Sequence, residues 1–175
     1  MKKEVLATSA AVAGAAAIAW MVTNREEKLE TVTYVELEQY MGKWYEIARF
    51  PQSFEKDCAC STAEYSLNDD GSVKVINSCI KKGVPDNVEG KATITDKKTN
   101  SKLKVSFGIF SGKYWIIALA ADYSYAMVGH PNRKYLWILS RKPAMDSQTY
   151  NYLLVQAAAK GFDVRKLVKT EQDCA

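Results

Sequence analysis

From Gly42 onward, apolar and polar residues alternate with a period of two, and turn-forming residues return every 8 to 12 positions. Period two sends successive side chains to opposite faces of a strand, so the pattern reads as short strands arranged in a sandwich or closed barrel. Strands are predicted over 43–50, 59–67, 72–80, 87–95, 102–108, 113–121, 124–130 and 134–141. "LNDDGSV" joins the second and third, with Gly71 suited to the left-handed position of a three-residue hairpin loop. In "SKLKVSF", Leu103, Val105 and Phe107 face one way and Lys102, Lys104 and Ser106 the other, which demands one dry face.

"KYWIIALAADY" departs from that rule, because Trp115, Ile117 and Leu119 are as apolar as Tyr114, Ile116 and Ala118. Such a strand needs cover on both sides. The next segment supplies it. Asp146 reads as a helix N-cap, Met145 and Tyr150 as a hydrophobic staple, and Gly161 as the C-terminal stop. Tyr150, Leu153, Leu154, Ala157 and Ala158 form a stripe at helical spacing that packs on the outside of the sheet. A short strand from Asp163 to Val168 follows. This order predicts an all-β fold with one C-terminal α-helix, an eight-stranded antiparallel up-and-down barrel. A barrel of eight strands is wide enough to enclose one small ligand.

With 175 residues the chain makes one ordinary domain, 25–175, preceded by a distinct segment, 1–24. The net charge of +4 is mild, clusters such as Asp96-Lys97-Lys98 fall in turns, and no basic stripe is interleaved with aromatics, so nucleic acid is excluded as a partner. Residues 1–24 carry two lysines and then 18 uncharged residues from Val5 to Val22, the layout of an export signal with a cleavage site at Ala17-Ile18-Ala19. As a helix, those 18 residues would span roughly 27 Å, so an uncleaved membrane anchor is the alternative. No cysteine precedes Cys58, so acylation of the bacterial-lipoprotein kind is not expected. Cys58, Cys60, Cys79 and Cys174 fit disulfides in an oxidising compartment, here the periplasm. A zinc site is disfavoured, because Cys58-x-Cys60 lacks a two-residue spacer and no histidine lies close by.

Three stretches in the right order carry a family likeness: "GKWYEI" near the start, "AADYSYAMV" in the middle and "LWILSRKP" late in the chain. Together they resemble the three motifs of the lipocalins over about residues 34 to 174. Within that family, "WYEI", "YSL" before a glycine hairpin and "DV-K" are similar to the bacterial lipocalins of the outer-membrane lipoprotein type and to apolipoprotein D. The resemblance implies that Trp44 lies across the closed bottom of the barrel with Arg141 stacked on it, Gly42 opening the same motif. A guanidinium over an indole face contributes about 0.5–2 kcal/mol, so these residues are structural. The resemblance also implies binding, storage or transport of a small hydrophobic ligand, a fatty acid or lysophospholipid, in cell-envelope lipid maintenance.

If Trp44 points inward, alternation sends Glu46 and Ala48 inward as well. Glu46 must then be tied down by tyrosine or asparagine groups or serve as a polar anchor for ligand. Tyr65, Val75, Asn77, Ala92, Val105 and Phe107 are further inward candidates, as are Tyr114, Ile116, Ala126 and Val128. Their mixture suits an acyl chain with its polar head near the mouth. The mouth is framed by Arg49 to Asp57 and by Gly108 to Lys113, where Phe50, Phe54, Ile109 and Phe110 are bulky residues in turn-like segments, able to cap a ligand or touch a membrane surface.

The likeness to apolipoprotein D implies a Cys60–Cys174 disulfide. Cys58 and Cys79 remain, and simple pairing through a three-residue loop puts them on opposite faces unless a bulge intervenes, so a second disulfide and free thiols both stay open. A lipocalin-fold enzyme acting on a lipid or isoprenoid is the alternative function. It finds little support, since the one histidine, His130, sits in a turn, and no nucleophile or carboxylate pair is placed by motif. No metal and no cofactor is expected, and a monomer or weak dimer is the expected state.

Overall fold

The computed structural model describes residues 29–174; the segment 1–24, read above as signal or anchor, lies outside them. A short helix α1 (Leu37–Tyr40) leads into β1 (Gly42–Arg49), β2 (Cys58–Leu67), β3 (Val73–Lys81) and β4 (Val84–Ile94). β5 (Lys102–Phe107), β6 (Phe110–Leu119), β7 (Tyr125–Gly129) and β8 (Leu136–Ser140) follow, then helix α2 (Ser147–Ala159) and a two-residue strand β9 (Val168–Lys169). Each of the first eight strands pairs antiparallel with its sequence neighbour, and β1 pairs with both β2 and β8, which closes the barrel. Closure leaves no long edge exposed to pairing with other chains.

The predicted short strand at 163–168 is instead a 3-10 turn (Val164–Lys166), with strand pairing only at Val168 and Lys169 against Ala48 and Arg49. The turn-like segment "GIFSGK" is shorter than expected. Its turn is confined to Gly108 and Ile109, and Phe110 to Lys113 belong to β6, with Phe107 paired to Phe110.

Two apolar clusters lie on the two sides of the sheet. The inner one joins Trp44, Tyr65, Val73, Val75, Ala92, Leu103, Ile116, Ala126 and Val128 inside the barrel. The outer one joins Ile47, Ala48, Phe50, Ile117, Met127 and Ile138 to Leu153 and Ala157 of α2. α2 starts where expected, with the Asp146 carboxylate accepting from the Thr149 N–H at 2.8 Å. It ends in a Schellman turn: Gly161 has φ +83°, its N–H donates to Ala158 O, and the Phe162 N–H donates to Ala157 O. Phe162 then packs over Gly129, where an added Cβ would stand 2.6 Å from the Phe162 ring. Ala158, expected on the packed stripe, is exposed.

Bulges decide which face several residues occupy. The β1–β8 register slips between Glu46 and Ala48, and the β6–β7 register between Ile116 and Ala118. Each slip puts two consecutive residues on the outer side, Ile47 with Ala48 and Ile117 with Ala118, while Leu119 joins the inner cluster. Ala48 therefore faces helix α2 and not the barrel interior.

Candidate ligand chamber

The floor is built around Trp44, which is fully buried. Its indole N–H donates to Tyr40 O at 2.8 Å, and the Arg141 guanidinium lies 3.8 Å from the ring centroid. Arg141 is fixed there by donating to Lys43 O at 2.9 Å, Gln39 O at 2.7 Å and Tyr123 O at 3.4 Å. Gly42 has φ +88°, and a Cβ there would sit 3.5 Å from the Arg141 guanidinium. One cation thus stacks on the plug and ties three chain segments across the bottom of the barrel.

Above the floor, three tyrosine hydroxyls meet. Tyr40 Oη lies 2.8 Å from Tyr114 Oη, and Tyr65 Oη lies 3.0 Å from it. Burial pushes all three hydroxyls up, Tyr65 to about 12, so they are neutral hydrogen-bonding groups at physiological pH. Tyr40 lies on α1, outside the strand pattern, and sequence reasoning did not select it.

The upper wall is apolar. Val105, Phe107, Tyr114 and Trp137 pack on the inner cluster and are partly buried. Val75 and Ile116 are buried in the same cluster. Asn77 follows Val73 and Val75 on the inner face and is paired with Val88, which is 47% exposed. Two shallow recesses, about 400 and 350 Å³, lie at the first loop and beside the start of α2, and neither is lined by these inner-wall residues.

The rim carries Phe54, 61% exposed, Phe110, 75% exposed, and Ile109, 93% exposed. Phe50, grouped with them from sequence, is buried beneath α2 against Phe162, with ring centroids 6.2 Å apart. Glu46 is tied neither to tyrosine nor to asparagine. It accepts from Arg49 Nη1 at 2.9 Å and from the Thr170 hydroxyl. Arg49 also donates to Glu55 O at 2.8 Å and lies 3.1 Å from the Glu55 carboxylate. Two carboxylates therefore share one guanidinium. Burial raises the pKa of both, and Glu55 is pushed up to about 7 by burial and then by the Glu46 charge.

Thr170 belongs to a C-terminal tail that completes the wall. β1 and β2 pair only from Gly42 to Tyr45, and beyond that they diverge. The tail fills the gap: Thr170 N–H donates to Ile47 O, Cys60 N–H to Glu171 O, and the Gln172 amide to both Glu46 O and Ser61 O. Cys60–Cys174 then fastens it, with Cα atoms 6.1 Å apart. Cys58 and Cys79 are joined as well, with Cα atoms 5.6 Å apart. A bulge between Ala59 and Thr62 shifts the β2–β3 register, which brings the two onto one face.

His130 sits in the β7–β8 turn, where Nδ1 accepts from the Asn132 N–H at 3.2 Å and the ring meets Tyr135 edge-on. Neither contact is with a nucleophile.

A closed antiparallel barrel with a stoppered floor and an apolar inner face has the architecture of a calyx. Residues 35–172 match the lipocalin-like domain family. The chain is 40% identical over 159 residues to temperature-induced lipocalin-1 of Arabidopsis thaliana, covering 85% of this chain and 86% of that one. It is 44% identical over 144 residues to outer membrane lipoprotein Blc of Escherichia coli, covering 81% of each, and 36% identical over 148 residues to bovine apolipoprotein D, covering 78% and 77%. In three dimensions it is similar to insecticyanin from the tobacco hornworm Manduca sexta, with a TM-score of 0.67 at 24% identity, covering 82% and 84% of the chains. The chain belongs to the lipocalin family, which binds small hydrophobic ligands.

Proposed function

We propose that this lipocalin is a non-catalytic carrier of a fatty acid or lysophospholipid, working in maintenance of the cell envelope. The observation that carries this reading is the inner wall of Val105, Phe107, Tyr114 and Trp137, apolar and only partly buried inside a closed barrel. An acyl chain laid along it replaces water on apolar surface, at about 25 cal/mol per Å². The headgroup stays at the rim, where Lys56, Lys82 and Lys134 are exposed. Phe54, Ile109 and Phe110 border the same opening, which supports loading from a membrane surface. Two disulfides support export to an oxidising compartment, the periplasm, with residues 1–24 as signal or anchor and no acylated cysteine.

The test is direct. Incubation with lysophospholipid and with fatty acid returns both unchanged, and a fluorescent fatty acid binds at one site per chain; product formation would favour the enzyme reading. Phe54→Ala and Phe110→Ala each weaken fatty-acid binding without lowering the thermal midpoint, because both side chains are solvent-exposed. Unchanged affinity in both would remove the rim from the site.

A further inference from the structure

The three-tyrosine cluster contains more donors than acceptors used. Each hydroxyl has one proton, and only two hydrogen bonds join the three, so one proton has no partner among the described residues. Tyr40 and Tyr65 are 3% and 7% exposed, whereas Tyr114 is only partly buried. Both buried hydroxyls reach the Tyr114 oxygen. In the arrangement where both donate to it, the remaining proton is that of Tyr114, the least buried of the three.

Among the described residues, no cationic side chain hydrogen-bonds to this donor. Arg141 lies on the Trp44 ring, held by the backbone carbonyls of Lys43 and Gln39, and Arg49 is held by Glu46 and Glu55. An anionic group brought here would lose its hydration without gaining a direct ion pair, since the N–H groups of Arg141 are already taken by backbone carbonyls. An uncharged oxygen acceptor needs only one donor. Along β6, Tyr114 stands four residues in from Phe110 at the rim, about 13 Å of strand.

Building on the carrier reading, we infer that the Tyr114 hydroxyl, backed by Tyr40 and Tyr65, is a polar subsite at the bottom of the chamber. It hydrogen-bonds an uncharged oxygen carried far from the ligand's head, so the barrel selects oxygenated acyl chains over plain ones. The anionic head remains at the rim lysines while a ketone, hydroxyl or epoxide on the distal part of the chain reaches Tyr114.

Displacement of a fluorescent fatty acid from the full chain tests this with three competitors: a saturated eighteen-carbon acid, the same acid with a ketone in its distal half, and the isomer with the ketone beside the carboxylate. The distal ketone is expected to bind about 3- to 10-fold more tightly than the plain acid, the worth of one net hydrogen bond, and the proximal isomer no more tightly. In Tyr114→Phe, the ratio of distal-ketone to plain-acid affinity falls to about one, and reading a ratio within each protein cancels any general loss of affinity. Equal binding of all three acids by the unmodified protein, as when water already satisfies the proton, overturns the subsite and leaves the carrier reading intact. So does a ratio that survives in Tyr114→Phe. Failure of every acid to compete overturns the carrier reading and the subsite together.

Discussion

Glu55 shows how one residue's surroundings set a property of the whole. Its carboxylate is buried beside a second carboxylate, Glu46, with Arg49 the guanidinium shared between them, and its pKa stands at about 7. A carboxyl whose folded pKa exceeds its unfolded value binds its proton more tightly when folded. Stability is therefore greatest below the unfolded value of about 4.5 and falls as pH rises through about 7, by up to roughly 3 kcal/mol for this group. Thermal midpoints of the native protein are expected to fall between pH 5 and 8, and those of Glu55→Gln to fall less. His130 is pushed the other way by burial, and the difference between the two curves cancels its contribution. Parallel curves would place the titration elsewhere. Little of this was legible in the sequence: Glu46 read as a buried charge, but its partners come from residues 49 and 170, and only folding brings Thr170 to it.

At the scale of elements, local chemistry was a good guide where the backbone's own geometry decides the outcome. The N-cap at Asp146 and the left-handed turn at Gly161 were legible because capping depends on residues within one helical turn. Asp146→Ala is expected to cost about 1 kcal/mol, lowering the thermal midpoint by roughly 2–4 °C with the same far-UV dichroism at low temperature. Alternation likewise assigned Val105 and Phe107 to the inner wall, because β5 runs without a slip against both neighbours. It failed at Ala48 and Leu119. Each lies just past a bulge, and a bulge reverses every face beyond it. At Cys58 and Cys79 the same reasoning identified the condition for pairing, and the bulge at Ala59/Thr62 meets it.

For the molecule as a whole, the barrel is eight strands plus a tail. β1 and β2 hold each other over only four residue pairs, and the segment from Val168 to Cys174 bridges the rest of the seam. The Cys60–Cys174 disulfide closes a separation of 114 residues, which removes about 4–5 kcal/mol of unfolded-chain freedom on the loop-entropy estimate. Cys174→Ser is expected to lower stability by about 2–5 kcal/mol in urea. It should also speed amide exchange at Thr170 and Cys60, two of the backbone N–H groups that hold the tail to the seam. Slow exchange at both positions would mean that hydrogen bonding alone seals the wall.

The sequence by itself determined the eight barrel strands in their order and the C-terminal helix with its caps, because alternation and capping act over a few neighbouring residues, while the tryptophan floor was implied by the likeness to the lipocalins. Only the tertiary structure decided that Ala48 turns to the helix, that Phe50 is covered by Phe162, that the tail seals the seam and that Tyr40, Tyr65 and Tyr114 share their hydroxyls. Those outcomes depend on register between strands and on contacts between segments far apart in the chain, and no local pattern encodes which distant partner will arrive.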